Sequence, residues 1–339
     1  MGDRTVVRLG LTGDVMLGRL VDHYVLADPM RDPAEIWGDT LDLFASADAR
    51  LINLECVIAA SGRPLPDKTF TFRARPRAIE VLRAAGVNFA GLANNHVLDY
   101  GPEALLECLD HLRAAGIAAA GAGRDLAEAA APAVITAGIA RVAVVALTDN
   151  EPGWEAGDNR PGVLVVRYDE RGLVPPYRDR IAAALRRARE TADVVVVCAH
   201  VGPNWGPPSP AMRALARQLL DWGGDLYWGH SNHSVQGIEC YGDKVIIYSA
   251  GDFVDDYAVD PEERNDLSFF IEVAVRGRSV ETVRLHPVHI EALRVRRAPP
   301  REATWLRRRM EALCPPMGTR VDAENGVLVL SPAASGVER

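Results

Sequence analysis

Apolar and polar segments alternate in blocks along the first two thirds of the chain. Runs such as 193–200 (DVVVVCAH) are almost continuously apolar and rich in valine, which is typical of a strand buried on both faces of a sheet. The Ala-, Leu- and Arg-rich segments between these runs have helical patterns. The segment 102–116, for example, begins with a proline and ends with a glycine, as helices favour. This alternation predicts an α/β fold with buried central strands.

The pattern changes after residue 225. Strand-like runs then follow one another, joined by turns such as Tyr241-Gly242-Asp243, and this predicts a mostly antiparallel region. A last helix and a small hairpin around residues 324–326 are expected within 301–339, packed on the same domain. We therefore expect one α/β domain over residues 1–300, in which two sheets are layered between helices.

Composition and charge narrow the class of protein. The 339 residues are 48% hydrophobic and 25% charged, with a formal net charge of −8, which argues against a nucleic-acid partner. The five cysteines show no paired spacing, as in proteins of a reducing compartment. The N-terminal stretch has no signal-peptide pattern, and no apolar run reaches the roughly 18 residues that a membrane span needs. We expect a cytoplasmic protein without a membrane partner, and the oligomeric state stays open.

Polar side chains gather where the predicted strands end. In α/β sheets, functional residues collect at the carboxyl ends of strands. Imidazole, carboxylate and amide groups are ligands for divalent metal ions, so five such ends predict a metal centre. The residues at these five ends are Asp14, Asn53 with Glu55, Asn94-Asn95-His96, His200, and His230 with His233.

Six ordered motifs carry a resemblance to a known family. They are GDVMLGR (13–19), NLE (53–55), KTFTFRA (68–74), LANNHVLDYG (92–101), AHVGPNWG (199–206) and YSAGDFVDD (248–256). Together they span roughly residues 5–300 and resemble the CapA-type proteins, named for poly-γ-glutamate capsule synthesis, in the calcineurin-like metallophosphoesterase superfamily. The resemblance implies a four-layer αββα sandwich with a metal centre at one edge.

The resemblance also implies a set of metal ligands. One position would be held by Glu55, Asn95, His200 and His230. The second would share Glu55 and add Asp14, His233 and a histidine two residues after Asp14, where this chain has Met16. A thioether is a poor ligand for such ions, so one or two ions of Mn, Zn, Fe or Ca are expected per chain. Asn94 is an alternative to Asn95 as a ligand. His233 could instead hydrogen-bond to a metal ligand without binding the ion itself.

Two kinds of metal-dependent chemistry follow from this arrangement. In a hydrolase of a phosphoester or γ-glutamyl amide, His96 would protonate the leaving group, oriented by Asp99. If the second position is empty, Asp14 is free to take an α-proton, and His96, His286 or His289 would act from the opposite face. We expect a peptide or glutamyl-type substrate, and this second reaction, α-carbon epimerisation, is the favoured hypothesis because some soluble relatives look like peptide-tailoring epimerases.

A third hypothesis needs no catalysis. The chain could be an accessory protein that binds poly-γ-glutamate, as the family's link to capsule synthesis implies. For each hypothesis we expect substrate contacts in the motif loops. The candidates are Lys68, Arg73, Asn204 and Trp205.

Overall fold

The computed structural model describes residues 6–332. Its α-helices are α1 (Arg19–Val21), α2 (Leu41–Ser46), α3 (Ala78–Ala84), α4 (Gly101–Ala114), α5 (Leu126–Ala129), α6 (Tyr177–Thr191), α7 (Pro210–Asp221) and α8 (Pro300–Leu313). A π-helical turn covers Asp22–Leu26, and short 3-10 helices cover Pro33–Trp37, Pro152–Trp154 and Pro315–Met317.

The strands of these residues fall into two large sheets and several short pairs. The first eleven are β1 (Val6–Val15), β2 (Ala49–Leu54), β3 (Val57–Ile58), β4 (Arg73–Ala74), β5 (Phe89–Gly91), β6 (Ala118–Ala120), β7 (Ala122–Gly123), β8 (Ala133–Ala137), β9 (Ala140–Thr148), β10 (Gly162–Val163) and β11 (Tyr168–Asp169). The others are β12 (Gly172–Leu173), β13 (Val194–His200), β14 (Leu226–His230), β15 (Ile238–Tyr241), β16 (Lys244–Ile247), β17 (Asp252–Val254), β18 (Leu267–Arg276), β19 (Ser279–Glu291), β20 (Arg294–Arg297), β21 (Thr319–Glu324) and β22 (Val327–Pro332).

The two large sheets mix parallel and antiparallel pairing. One has ten strands in the order β21-β22-β19-β18-β1-β2-β5-β6, with β17 beside β1 and β20 beside β19; the other runs β15-β16-β14-β13-β9-β8. The antiparallel pairing expected after residue 225 is found in β18–β22. It is wrong for β14, which is parallel to β13 and β16, and for β17, which is parallel to β1. Apolar composition marks a strand but does not set the direction of its neighbour.

The sheets stack face to face and helices cover both outer faces. In β13, Val196 and Cys198 belong to the apolar core between the sheets, whereas Val195 and Val197 face outward, because successive side chains of a strand point to opposite faces. Helices α3 and α4 cover the ten-stranded sheet, and α6 and α7 cover the six-stranded sheet. The protein has the four-layer αββα sandwich of a calcineurin-like metallophosphoesterase fold, as the sequence predicted.

The C-terminal segment packs on both the core and the sheet. Leu306 and Met310 of α8 are buried in the core between the sheets, and β22 extends the ten-stranded sheet by pairing with β19. None of the helices in residues 6–332 combines the length and the apolar composition that crossing a bilayer requires.

Candidate metal centre

Strand alternation aims one group of side chains into the gap between the sheets. In β2, Leu51 lies in the core between the sheets, so Asn53 and then Glu55, two and four residues on, point to the same side. Asp14 lies beside Asn53 in the parallel register of β1 and β2. The ten-stranded sheet therefore presents carboxylate and amide groups at this edge.

The six-stranded sheet presents two histidines opposite them. His200 ends β13 and His230 ends β14, and the two are neighbours in register. His230 has the same strand parity as Leu226 and Trp228, which are core residues of the gap. Both imidazoles therefore close the gap from the other side, and both are buried.

These groups form a compact cluster. Ligand atoms of Asp14, Glu55 and His200 all lie within 4.8 Å of one another. His230 Nδ1 is 2.7 Å from Asp14 Oδ1, and His200 Nε2 is 3.7 Å from Glu55 Oε1. Asn53 Nδ2 donates a hydrogen bond of 2.7 Å to Asp14 Oδ1. Two carboxylates and two imidazoles thus share one buried volume.

The hydrogen bonding of the cluster is incomplete without an ion. Asp14 Oδ2, Asn95 Oδ1 and His230 Nε2 are buried and have no hydrogen-bond partner among the described residues. His230 Nδ1 is 2.7 Å from Asp14 Oδ1, so the imidazole and the carboxylate face the same buried volume. Burying such groups unpaired is costly. The donor set of oxygen and nitrogen atoms fits a divalent metal ion.

The pKa values of the buried carboxylates and imidazoles bear on whether these groups can act as metal ligands. Burial would raise the pKa of Asp14, but the neighbouring His230 and His200 and the hydrogen bond from Asn53 together lower it to about 2. Burial lowers the pKa of His200 to about 3, which leaves a neutral imidazole with a free lone pair. Burial and the charge of Asp14 raise the pKa of Glu55. A bound cation would stabilise the Glu55 carboxylate in its ionised form.

Met16 and His233 lie differently with respect to the centre. Met16 is fully buried in the apolar core beneath the outer helices, and its Sδ accepts a hydrogen bond of 3.1 Å from the Gly18 backbone N–H. His233 donates from Nδ1 to Asp252 Oδ1 over 3.0 Å, and its ring faces the cavity described below. Carboxylate support of this kind is common for metal-binding histidines.

A second histidine–carboxylate pair lies beside the cluster. His96 Nδ1 donates to Asp99 Oδ2 over 2.6 Å, and the His96 ring stacks on Phe72 with 3.7 Å between centroids. Asp99, fully buried, also accepts bonds from Lys68 Nζ (2.7 Å) and the Phe72 N–H (2.6 Å). Burial lowers the pKa of His96 even though Asp99 opposes this. Asn95 Nδ2 lies 3.2 Å from His96 Nε2, so this amide contacts the pair while its unpartnered Oδ1 is free for a metal.

A cavity of about 470 Å³ opens at Asn95 and His96, and Tyr257 in its wall donates a hydrogen bond of 3.0 Å to Glu55 Oε2 of the cluster. Three of the predicted substrate contacts, Lys68, Asn204 and Trp205, lie in its wall. Lys68 is held in place by Asp99 and by the ring of Trp154, 4.3 Å away. The full lining comprises Arg19, Lys68, Thr69, Phe70, Phe72, Asn95, His96, Asn204, Trp205, His233, Tyr257, Ala258 and Asn265.

Comparison with known proteins identifies the family of this chain. The family model of the bacterial capsule synthesis protein PGA_cap matches residues 8–257. The chain belongs to the PGA_cap family. It is 32% identical, over 98% of both chains, to a probable polyglutamine synthesis accessory protein of Mycobacterium tuberculosis. It is also 28% identical to the PGA biosynthesis protein CapA of Bacillus subtilis, over 74% of this chain and 64% of that protein. A crystal structure of a hypothetical protein from Thermus thermophilus aligns with a TM-score of 0.48 and 15% identity, over 86% of this chain and all of the other.

Three side chains predicted for the site of this PGA_cap protein lie elsewhere. Arg73 donates to the carbonyl oxygens of Ser61 and Gly62 and stacks on Tyr100, so it holds a loop and does not line the cavity. The predicted role of Arg73 as a substrate contact is therefore corrected. A residue in a motif loop can point away from the site that the loop surrounds.

His286 and His289 need the same correction. They lie on β19, two strands away from β1 across the ten-stranded sheet. His289 Nε2 is 3.1 Å from Asp266 Oδ2, and His286 lines a separate surface cavity between α8 and the last hairpin. No contact joins either to His96 or Asp14 within residues 6–332, so neither is placed to act opposite Asp14.

The sequence interpretation named Asn53 at a strand end but gave it no role, although strand alternation places it on the same face as Glu55. It missed other residues of the PGA_cap site. Asp252 was recoverable in part, since it follows a glycine in a quoted motif and pairs in register with Asp14. Arg19 ends a quoted motif and Tyr257 lies just after one, but their place in the cavity wall depends on how distant loops fold together.

Proposed function

We propose that this protein is a metal-dependent hydrolase that cleaves a γ-glutamyl amide bond. The observation that carries the proposal is the position of Asn95 and His96. Both line the open cavity, and Tyr257 of the same wall donates a hydrogen bond of 3.0 Å to Glu55 of the buried cluster, so a substrate in the cavity would lie beside a proton-transfer group and the candidate metal position.

Asp14, Glu55, Asn95, His200 and His230 would supply the ligands of the metal. The compact grouping of Asp14, Glu55 and His200 supports this set, and so do the unpartnered buried atoms of Asp14, Asn95 and His230. A divalent ion of Mn, Zn, Fe or Ca there supplies a Lewis acid that polarises the scissile carbonyl and acidifies water. Asp14 is engaged by His230 and Asn53, so we assign it as a ligand and not as a free base.

His96 would carry the proton. Its Nδ1–H is committed to Asp99, so the lone pair is on Nε2, which lies 3.2 Å from Asn95 Nδ2 and which a reacting water would have to share with that amide. In hydrolysis a water oxygen bonds to the amide carbon, and His96 Nε2 takes a proton from that water. The C–N bond then breaks, and the same proton passes from Nε2 to the departing amine nitrogen, which leaves a carboxylic acid and an amine.

The glutamyl substrate class is supported by the family. One relative is named a polyglutamine synthesis accessory protein and another a PGA biosynthesis protein. The cavity wall of this chain suits an anion, because its charged side chains, Arg19 and Lys68, are cationic, and no carboxylate is among the described lining residues.

Epimerisation has less support than hydrolysis. It requires Asp14 as a free base, whereas we assign Asp14 as a ligand, and of the three histidines considered for the opposite face only His96 lines the cavity, since His286 and His289 lie on β19. The second candidate function is non-catalytic binding of a glutamyl polymer, favoured by the word accessory in the name of the Mycobacterium tuberculosis relative.

An amine-release assay tests these alternatives. Purified protein loaded separately with Mn²⁺, Zn²⁺, Fe²⁺ or Ca²⁺ is given γ-linked oligoglutamate, an aryl phosphate ester, and an l-glutamyl peptide in deuterated water. We expect new amine from oligoglutamate, lost in His96→Gln and kept in His23→Gln, a matched change at an exposed histidine. Phosphate release would favour the phosphoester hydrolase, deuterium uptake at the α-carbon would favour epimerisation, and tight binding without turnover would favour the accessory role.

A further inference from the structure

We propose that Arg19 is the receptor for a substrate carboxylate, a binding role that deepens the hydrolase function proposed above. Arg19 lines the cavity, and 34% of its side chain is exposed there. Three independent features of its surroundings support this role: its backbone, the rings around it and its unused donors.

The backbone at Arg19 is in an unfavourable conformation. Its φ of +50° lies in the left-handed region, which is uncommon for a residue with a side chain. Such conformations persist where the surrounding structure enforces them and cluster at ligand-binding sites. Here Asp256 holds the turn, because its Oδ2 accepts a hydrogen bond of 2.8 Å from the next backbone N–H, that of Leu20.

Aromatic rings fix the guanidinium without using its donors. The Arg19 Cζ lies 5.6 Å from the Phe70 ring centroid, 5.5 Å from that of Phe72 and 6.0 Å from that of Tyr257. These contacts are cation–π interactions, which orient a guanidinium and leave its N–H groups available.

The donors that remain match a carboxylate. Arg19 Nε is 3.3 Å from Asp256 Oδ1, whereas the two terminal nitrogens make no hydrogen bond to any residue in 6–332. A guanidinium whose terminal nitrogens are free binds a carboxylate through two parallel N–H···O bonds. Asp256 is fully buried, and its contact with the guanidinium is through Nε, so the terminal nitrogens keep their donors for a ligand.

The position of Arg19 relative to His96 indicates which part of the substrate Arg19 would bind. Phe72 joins it to the reacting groups: one side chain of Phe72 contacts both the Arg19 guanidinium and the His96 ring. A carboxylate on Arg19 would therefore belong to the same residue as the scissile bond or to its neighbour. The geometry thus selects an acidic, glutamyl-type residue near the cleavage point.

Binding, measured apart from turnover, tests the role of Arg19. Calorimetry with γ-linked triglutamate compares the metal-loaded wild type with Arg19→Met and with Arg301→Met, a control at an exposed arginine of α8. We expect the dissociation constant to rise on the order of 10- to 100-fold for Arg19→Met, as for loss of hydrogen bonds to a charged group, and to change less than about twofold for the control. Equal binding by the wild type and Arg19→Met would overturn the inference, and so would a wild type that does not bind triglutamate.

Two further measurements identify the ligand group that Arg19 binds and control for a variant that fails to fold. γ-Linked triglutamate in which every free carboxyl group is converted to a carboxamide should bind weakly and lose nothing in Arg19→Met, whereas a stronger Arg19 dependence for inorganic phosphate than for triglutamate would overturn the carboxylate assignment. Arg19→Gly removes the side chain where glycine adopts the positive φ without strain, so it should stay folded, keep its metal and lose binding. Arg19-dependent binding without any amine release would refute the proposed hydrolysis and leave this inference standing.

Discussion

The indole Nε1 of Trp228 donates a hydrogen bond of 2.9 Å to the backbone carbonyl oxygen of Thr12. Trp228 belongs to β14 of the six-stranded sheet and Thr12 to β1 of the ten-stranded sheet, and both are fully buried. The bond joins the sheets two residues before Asp14 and two residues before His230. The two halves of the candidate metal centre are therefore held at a fixed separation.

Trp228→Phe should loosen this connection. Loss of the donor leaves the Thr12 carbonyl buried without this partner, and we expect the free energy of unfolding to fall by about 1–3 kcal/mol. Metal affinity should fall as well, because ligands from the two sheets would no longer be held at a fixed separation. Denaturant unfolding and metal titration measure both effects, with Trp222→Phe as the control. Unchanged metal affinity would show that the bond does not position the ligands.

Glu55→Gln should abolish the stabilisation of the protein by metal without destabilising the metal-free protein. In the metal-free protein the substitution removes a buried carboxylate that lies against Asp14, so the stability should stay equal or rise. The stabilisation that added metal gives the wild type should disappear, because a ligand charge is lost. Thermal unfolding with and without a chelator tests this, with the exposed Glu190→Gln as the control. A variant that metal stabilises as much as the wild type would exclude Glu55 as a ligand.

Asp99→Asn should disable His96 without touching the ligands. The amide cannot anchor the imidazole in the same tautomer, so we expect kcat to fall by at least about a hundredfold with little change in bound metal. The double variant with His96→Gln should be no slower than His96→Gln alone, since the two residues act as a unit. Asp158→Asn, an exposed position, is the control. Additive losses in the double variant would contradict the pairing.

His286 should make the fold sensitive to mild acid. Burial and the nearby Arg297 and Arg284 lower its pKa to about 4, below the usual value of 6.5. The unfolded chain therefore binds the proton first, and stability falls as the pH drops from 6.5 to about 4. The loss should stay below about 3 kcal/mol, because solvent screens part of the ring's interactions.

Unfolding of metal-free protein between pH 4 and 7 measures this contribution. His286→Gln should lose less stability than the wild type across that range, and His23→Gln should follow the wild type. Parallel curves for His286→Gln and the wild type would show that His286 is not the group responsible.

Much of the architecture could be predicted from local patterns. The segments 102–116 and 301–314 were recognisable as helices because their caps and periodicity are local, and they correspond to α4 and α8. Strand direction was harder. β14 has the same apolar composition whether its neighbour is parallel or antiparallel, so the local pattern left its direction open.

The sequence alone indicated which ends of strands carry candidate ligands, and so Asp14, Glu55, His200 and His230 could be named before their positions were known. Alternation along a strand is set by the backbone, which explains why these four side chains converge. Tertiary structure decided the rest. It turned Arg73 away, placed His286 and His289 two strands away from β1, buried Met16 in the core and brought Arg19 beside Phe72. Those outcomes depend on how segments distant in sequence pack against one another, and no local period encodes that packing.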